Sequence, residues 1–344
     1  MRVADIEWSQ HSITITRPDT EYDAIEVCAG AGGQAVGLHN AGFGHRALVE
    51  LDAHACRTLR HNGTKVGWGD RVHEVDLHHW LTDELHPFMK GPSLLAGDVP
   101  CPPFSIAGKQ LGEDDDRDLF PRMLWLADQL DPRAVMIENV RGLLGVKFDD
   151  YRGRITASLQ GLGYVPHWKL LNASDYGVSQ LRPRTVMVAL RPDDAAHFRW
   201  PGPIDRHVTV GQLLRDSMAS NGWEKADEWA SQANDIAPTL VGGSKKHGGA
   251  DLGPTRARAK WATLGVNGIG VADVVPSPGF VGSPKLTVQQ AALVQGFPEW
   301  WEIKGRKTAA YRQVGNAFSP PVAEAVGGCI MSAFAASDGS RRGE

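Results

Sequence analysis

From residue 23 onward the chain alternates short apolar runs with stretches of helical length, and this alternation restricts the fold more than any other feature. The runs are residues 24–28, 47–51, 93–96, 134–137 and 185–190. They are short and mostly apolar rather than strictly alternating, the pattern of strands covered on both faces. Between them residues 34–40, 53–61, 119–130 and 151–162 read as helices, the last ended by Gly163, and Asp131-Pro132 is a stop before the fourth run. Strand-helix repeats predict βαβ units and an α/β, doubly wound, mostly parallel sheet. Ligands then belong at the carboxyl ends of the strands.

Residues 191–284 break the pattern: they are rich in Gly, Pro, Trp and Asp and carry little periodicity. They read as a smaller, loop-rich second lobe, which a chain of 344 residues has room for. Periodicity returns at Lys285 and ends in a predicted helix over 322–334. The expected division is 1–190 as the main domain, 191–284 as the second lobe, and 285–344 as a return to both. Residues 1–22 form an N-terminal extension in which 12–16 alternate like one edge strand.

Composition excludes several classes. The formal charge of -4 creates no overall field towards nucleic acid, so any such contact must rest on a local basic patch. The cysteines, Cys28, Cys56, Cys101 and Cys329, show neither Cys-x-x-Cys nor Cys/His zinc spacing, which argues against a disulfide scaffold and against a metal site. No apolar stretch approaches the roughly 20 residues needed to span a bilayer, and the start MRVADIEWSQ lacks the pattern of an export signal. A soluble, cytoplasmic protein without a membrane partner is expected.

Three constellations carry chemistry. The first, Glu26 to Gly33, is an apolar strand entering a glycine-rich turn and then a helix. Such a turn lets the backbone approach a ligand, and the helix start offers free N–H groups. Glu50 ends the next apolar run, where a carboxylate can accept both hydroxyls of a ribose. Together they read as an adenosine-containing cofactor site; a dinucleotide also satisfies Gly30-x-Gly32-x-x-Ala35, and so does a plain tight turn. Asp76 stands where a third strand ends and suits either an adenine amino group or a helix cap. The second constellation is Cys101 among Pro100, Pro102 and Pro103, directly after an apolar run. The prolines hold its loop extended with few conformations to lose, which suits a nucleophile better than a buried structural thiol. The third is Glu138, a strand-end carboxylate able to donate a proton to a ring nitrogen.

With these in chain order, the sequence resembles the DNA cytosine-C5 methyltransferases, in particular prokaryotic C5 modification enzymes. The glycine turn, Cys101 in its proline loop and Glu138-Asn139-Val140 carry the likeness, joined by Gln180-Leu181-Arg182-Pro183-Arg184, Gln295-Gly296-Phe297-Pro298 and Gln313-Val314-Gly315-Asn316-Ala317. It runs from about residue 23 to 327 outside the second lobe. The resemblance implies a methyltransferase fold binding S-adenosyl-L-methionine, with S-adenosyl-L-homocysteine as product and residues 191–284 as target recognition domain. The substrate would be a cytosine swung out of duplex DNA. Cys101 would attack C6, Glu138 would hold N3 and the exocyclic amine, Arg184 would contact the base O2, and Arg182 would position neighbouring groups or phosphate.

For the cofactor the resemblance implies Ala31, Gly32 and Gly33 along the methionine portion, Glu50 with Leu51 at the ribose and Asp76 at the adenine. Asn316 would lie near the methionine end, Leu119 would close the pocket, and Cys28 stands where most members have an aromatic residue. Asp98 and Pro102 replace the usual residues of Gly-Gly-x-Pro-Cys-Gln. Ser105 and Arg117 match positions near DNA phosphate. In the second lobe Lys245, Lys246, Arg256, Arg258 and Lys260 face only Asp251 as an acid, a local basic strip suited to phosphate contact or to ordinary solvation. The implied partners are double-stranded DNA and a restriction endonuclease of the same site, with the enzyme a monomer near the nucleoid. The competing readings are a tRNA cytosine-C5 methyltransferase, a catalytically idle DNA-binding regulator on the same fold, and a nicotinamide oxidoreductase resting on the glycine turn alone.

Overall fold

The apolar runs become the inner strands of one sheet. The computed structural model describes residues 21–99, 118–242 and 250–342, and among them seven strands pair. They are β1 (Asp23–Val27), β2 (Gly44–Glu50), β3 (Val72–Glu74), β4 (Leu94–Gly97), β5 (Ala134–Val140), β6 (Val165–Asn172) and β7 (Pro183–Leu190). The order is β3-β2-β1-β4-β5-β7-β6, parallel throughout except that β7 runs antiparallel to both its neighbours. The sequence-level reading misses β6, an edge strand whose side chains are mostly half-buried and which includes Pro166 and Lys169. An edge position tolerates both, and neither belongs to an apolar run. The alternating stretch at 12–16 lies outside the described residues.

Helices α1 (Gly33–Ala41), α2 (Ala53–Val66), the single turn α3 (Leu77–His79), α4 (Phe120–Leu130), α5 (Asp149–Gly161) and α6 (Pro192–His197) belong to the sheet domain. Then come α7 (Val210–Ala219), α8 (Ala226–Gln232), α9 (Thr255–Thr263), α10 (Val288–Gln295), α11 (Lys307–Asn316) and the long α12 (Pro320–Arg342). Ile25, Val27, Leu95, Val135, Ile137 and Met187 pack on α4 and α5. The alternate positions Ala24, Leu94, Ala96, Met136 and Val188 pack on α1 and α12. Burial on both faces is why these strands read as apolar runs.

The second lobe holds more helix than its composition suggests. Thr209 and Gln212 form a reciprocal capping box at the start of α7, and Thr287 and Gln290 repeat it at α10. The Thr209-x-x-Gln212 pair ahead of Leu213, Leu214 and Met218 was the available signal for α7. Trp223, Trp229 and Trp261 fill the lobe's interior, and the same apolar cluster continues through Trp301 to Leu59 of α2 and Ala35 of α1.

One buried polar pair interrupts this core. Glu26 of β1 and His45 of β2 lie 3.7 Å apart (Oε2 to Nε2), and His45 stacks on Trp68 at 4.6 Å. Neither the Glu26 oxygens nor the His45 nitrogens make a hydrogen bond. Burial pushes the Glu26 carboxyl well above its usual range and pulls His45 down to about 3, so it favours the neutral form of both. The native state therefore holds a proton on Glu26 that the unfolded chain releases above the ordinary value of 4.5, and this stabilisation declines as pH rises. His45 acts in the opposite direction: its contribution is present above the ordinary value of 6.5 and is lost as pH falls. Glu26→Gln removes the first term alone. We expect its melting temperature to fall less steeply than the wild type's as pH rises above the ordinary carboxyl value of 4.5, measured by calorimetry; identical slopes would mean that Glu26 is ionised in the fold.

Candidate active site

The strand ends open into a crevice of about 1030 Å³. Its first wall is the turn between β1 and α1. Cys28, Gly30 and Gly32 all have positive φ (54°, 54° and 86°), which winds the chain tightly enough to expose the start of α1. Glu50, at the end of β2, fastens that turn: its Oε2 accepts from Gly30 N at 2.8 Å, and its Oε1 accepts from Leu51 N and Asp52 N at 2.9 and 2.7 Å. Burial raises the Glu50 pKa while these three N–H groups pull it back. Gly33 leaves no room for a side chain, since a Cβ would fall 2.1 Å from the Phe318 carbonyl oxygen.

Around this turn the crevice gathers Cys28, Ala31, Gly33, Glu50, Leu51, Asp76, Leu119 and Asn316 of the expected cofactor set. Asp76 also caps α3, accepting from His78 N at 2.8 Å. Burial, followed by the charge of Glu50, raises the Cys28 thiol well above its usual range, so it stays neutral and is no nucleophile. Gly32 does not line the crevice. It caps α1 and packs on Trp301, whose Nε1 donates to Ala31 O at 3.0 Å; a Cβ there would meet the indole at 2.7 Å.

The opposite wall is the end of β5. Glu138 is 3% exposed, and its Oε1 lies 2.7 Å from Arg184 Nε across the β5–β7 pairing. That oxygen is ion-paired with the guanidinium but makes no hydrogen bond of good geometry, so its acceptor capacity is not fully used. Asp98, after β4, hydrogen-bonds Glu138 and lines the same crevice. Asn139 donates from Nδ2 to Val99 O at 3.0 Å, tying the end of β5 to the chain immediately before Pro100 and Cys101.

Arg182, grouped with the catalytic residues and expected to position neighbouring groups or phosphate, does not reach the crevice. It is 1% exposed and absent from the crevice lining. Its guanidinium donates to the carbonyls of Leu240 (2.8 Å), Gly315 (3.0 Å) and Ala317 (2.8 Å). Burial lowers its pKa to about 9, which still leaves it charged at pH 7. Gln180 extends this knot, donating to Val294 O and Gln295 Oε1 and accepting from Leu240 N, while Gln295 in turn donates to Ala317 O. Thr239 Oγ1 bonds Leu181 O on the same seam.

Cys101, Ser105, Arg117, Lys245 and Lys246 lie outside the described residues. Arg256 and Arg258 sit on α9, away from the crevice lining. Arg256 is exposed, whereas Arg258 is turned to Asp251 (3.7 Å) and Lys260 to Asp235 (2.6 Å). The crevice also takes in Asp52 and Arg312, 3.5 Å apart, which the sequence did not mark because their proximity depends on α2 meeting α11. Among the described residues no group of three or more His, Cys, Asp or Glu side chains could hold a metal ion, and no helix is long and apolar enough to cross a membrane.

This arrangement has a family. Residues 22–332 match the C-5 cytosine-specific DNA methylases. The chain belongs to that family. It is 56% identical over 318 residues to the type II methyltransferase M.NaeI of Lentzea aerocolonigenes, covering 91% of this chain and 75% of the relative. It is 48% identical over 317 residues to M.NgoMIV of Neisseria gonorrhoeae, covering 91% and 98%. Among solved structures, one described as a DNA modification methyltransferase encoded within an E. coli prophage superposes with a TM-score of 0.63 at 21% identity, over 91% of this chain and 99% of that one. At that identity the likeness speaks for the fold. The protein is thus a DNA methyltransferase acting at cytosine C5.

In this methylase Arg182 joins the second lobe to the sheet domain, so its loss should register as stability. Arg182→Met leaves the buried carbonyls of Leu240 and Gly315 without this donor, Ala317 O keeping Gln295, and is expected to cost about 3 kcal/mol, read by urea denaturation. A midpoint equal to the wild type's would show that these hydrogen bonds do not hold the two parts together.

Proposed function

We propose that the protein transfers a methyl group from S-adenosyl-L-methionine to C5 of a cytosine flipped out of duplex DNA, at a fixed short site, through a covalent bond between Cys101 and C6. The observation that carries this reading is the convergence of a glycine turn fastened by Glu50 with the Glu138–Arg184 pair in one crevice of a C-5 methylase. The residues present fit the cofactor: exposed N–H groups at the start of α1, carboxylates at the ends of β2 and β3, and a volume of about 1030 Å³ that leaves room for a base as well. The cofactor supplies an electrophilic methyl group. Glu50 and Asp76 would orient its adenosine, and Asn316 and Gly33 would flank its methionine portion.

The chain's own groups then make C5 reactive. The Cys101 thiolate forms a bond to C6 while Glu138 gives a proton to N3, which turns an aromatic carbon into an enamine able to take the methyl group. Arg184 supports the base O2 during that charge shift. A base removes the C5 proton, the C6–S bond breaks as N3 returns its proton to Glu138, and the thiolate and 5-methylcytosine are released. Arg256 and its neighbours on the second lobe would contact phosphate. As the type II naming of its relatives suggests, the enzyme would act as a monomer beside an endonuclease of the same site.

The deciding experiment supplies labelled S-adenosyl-L-methionine with unmethylated genomic DNA and with total tRNA, followed by sequencing of the modified cytosines. Label in DNA at one short motif is the expected result; label only in tRNA, or in neither, rejects the reading. Cys101→Ala should abolish transfer with DNA binding retained. Glu138→Gln should lower kcat by about a hundredfold or more, with cofactor affinity within about twofold in titration calorimetry.

A further inference from the structure

The carboxyl group of Asp98 has no part in the reaction outlined above. Its place in the fold is nevertheless specific. In the parallel pairing of β4 with β5, Gly97 lies opposite Ile137, so Asp98 and Glu138 are the next residues along at adjoining strand ends. Their carboxyls hydrogen-bond to each other, and Glu138 Oε1 faces Arg184 Nε at 2.7 Å on its other side. An ionised carboxylate only accepts hydrogen bonds, so two carboxyls bonded to each other must hold a proton between them. The neighbouring guanidinium favours the negative charge on Glu138, which leaves Asp98 as the donor.

The geometry points to Asp98 as the proton store for Glu138: when cytosine enters, the Asp98 carboxyl proton passes to Glu138, which presents it to N3 of the base. This rests on the proposed reaction. The Asp98 O–H bond breaks, the Glu138 O–H bond forms, Asp98 is left as a carboxylate, and the charge of the pair is unchanged. The trigger is Arg184. Once its guanidinium turns from Glu138 Oε1 to the base, Glu138 loses its counter-ion and takes the proton that Asp98 carried.

The groups facing Asp98 are consistent with such a store. Burial and the charge of Glu138 on β5 raise its proton affinity well above the usual carboxyl range; Arg184 on β7 and Arg182 before it pull the other way, and the nearby Cys28 thiol is neutral. Asp98 therefore acts through Glu138 as a positioning and proton-holding residue without touching the base.

The test compares Asp98→Asn and Asp98→Glu with the wild type, using unmethylated DNA and S-adenosyl-L-methionine across pH. The asparagine amide can still donate a hydrogen bond to Glu138 but has no proton to release. We expect kcat to fall about ten- to a hundredfold and the alkaline limb of the pH profile to move down by about one unit, with cofactor affinity and melting temperature retained. Asp98→Glu, which restores a protonable carboxyl, should recover part of the rate and of the limb. A wild-type rate for Asp98→Asn overturns the proposal, as does a loss that is equal at every pH, which is what a purely structural role produces. If Asp98→Asn does not fold, an Asp98→Glu profile superimposable on the wild type supports the store, and one without an alkaline limb overturns it. Failure of the underlying reaction would look different, because the wild type itself would then transfer no methyl group to DNA.

Discussion

The buried knot of Gln180, Arg182 and Gln295 is the constraint on which the rest of the molecule depends. A guanidinium that is 1% exposed exists at such a site only because three main-chain carbonyls surround it, and those carbonyls come from Leu240, Gly315 and Ala317. The lead-in to β7, the inner end of the second lobe and the turn between α11 and α12 must therefore meet at one point. Close backbone approach completes the junction, since a Cβ on Gly315 would stand 2.3 Å from Gly242 N. Asn316 reaches the crevice because this knot brings α11 there.

The knot also divides the labour of one short motif. Gln180, Arg182 and Arg184 are two residues apart in an extended chain, yet only Arg184 opens to the crevice. Its contact with Glu138 places a cation beside a carboxylate that already shares a hydrogen bond with Asp98. The β5 end of the crevice is thus a row of charged and protonated groups. The glycine-turn end is built differently, around a carboxylate held by three main-chain N–H groups. One carboxylate is spent on shaping a turn and the other keeps acceptor capacity that is not fully used, so their environments separate two acids that the sequence presents alike.

Much of the sheet domain was legible because burial on both faces writes itself into composition. The strands at residues 24, 47, 94, 134 and 185 appear as apolar runs for that reason, and the acids Glu50 and Glu138 stand out by ending such runs. β6 did not stand out, because an edge strand owes its pairing to β7 rather than to its own side chains. The helices of the second lobe were obscured too: they are short, tryptophans share its core with scattered aliphatic residues, and a capping box marks the start of α7 but not of α8 or α9.

By itself, then, the sequence determined the strand-helix alternation, the glycine turn, the strand-end acids and the family to which their order belongs, because each is a local pattern or a motif read along the chain. Tertiary structure alone decided which of those residues share a crevice. It turned Arg182 inward and Arg184 outward, took Gly32 out of the lining and put it under Trp301, and set the Asp98 carboxyl against Glu138. Those outcomes depend on which strand lies beside which and on what each side chain meets after burial, and neither quantity is written in the spacing of residues along one chain.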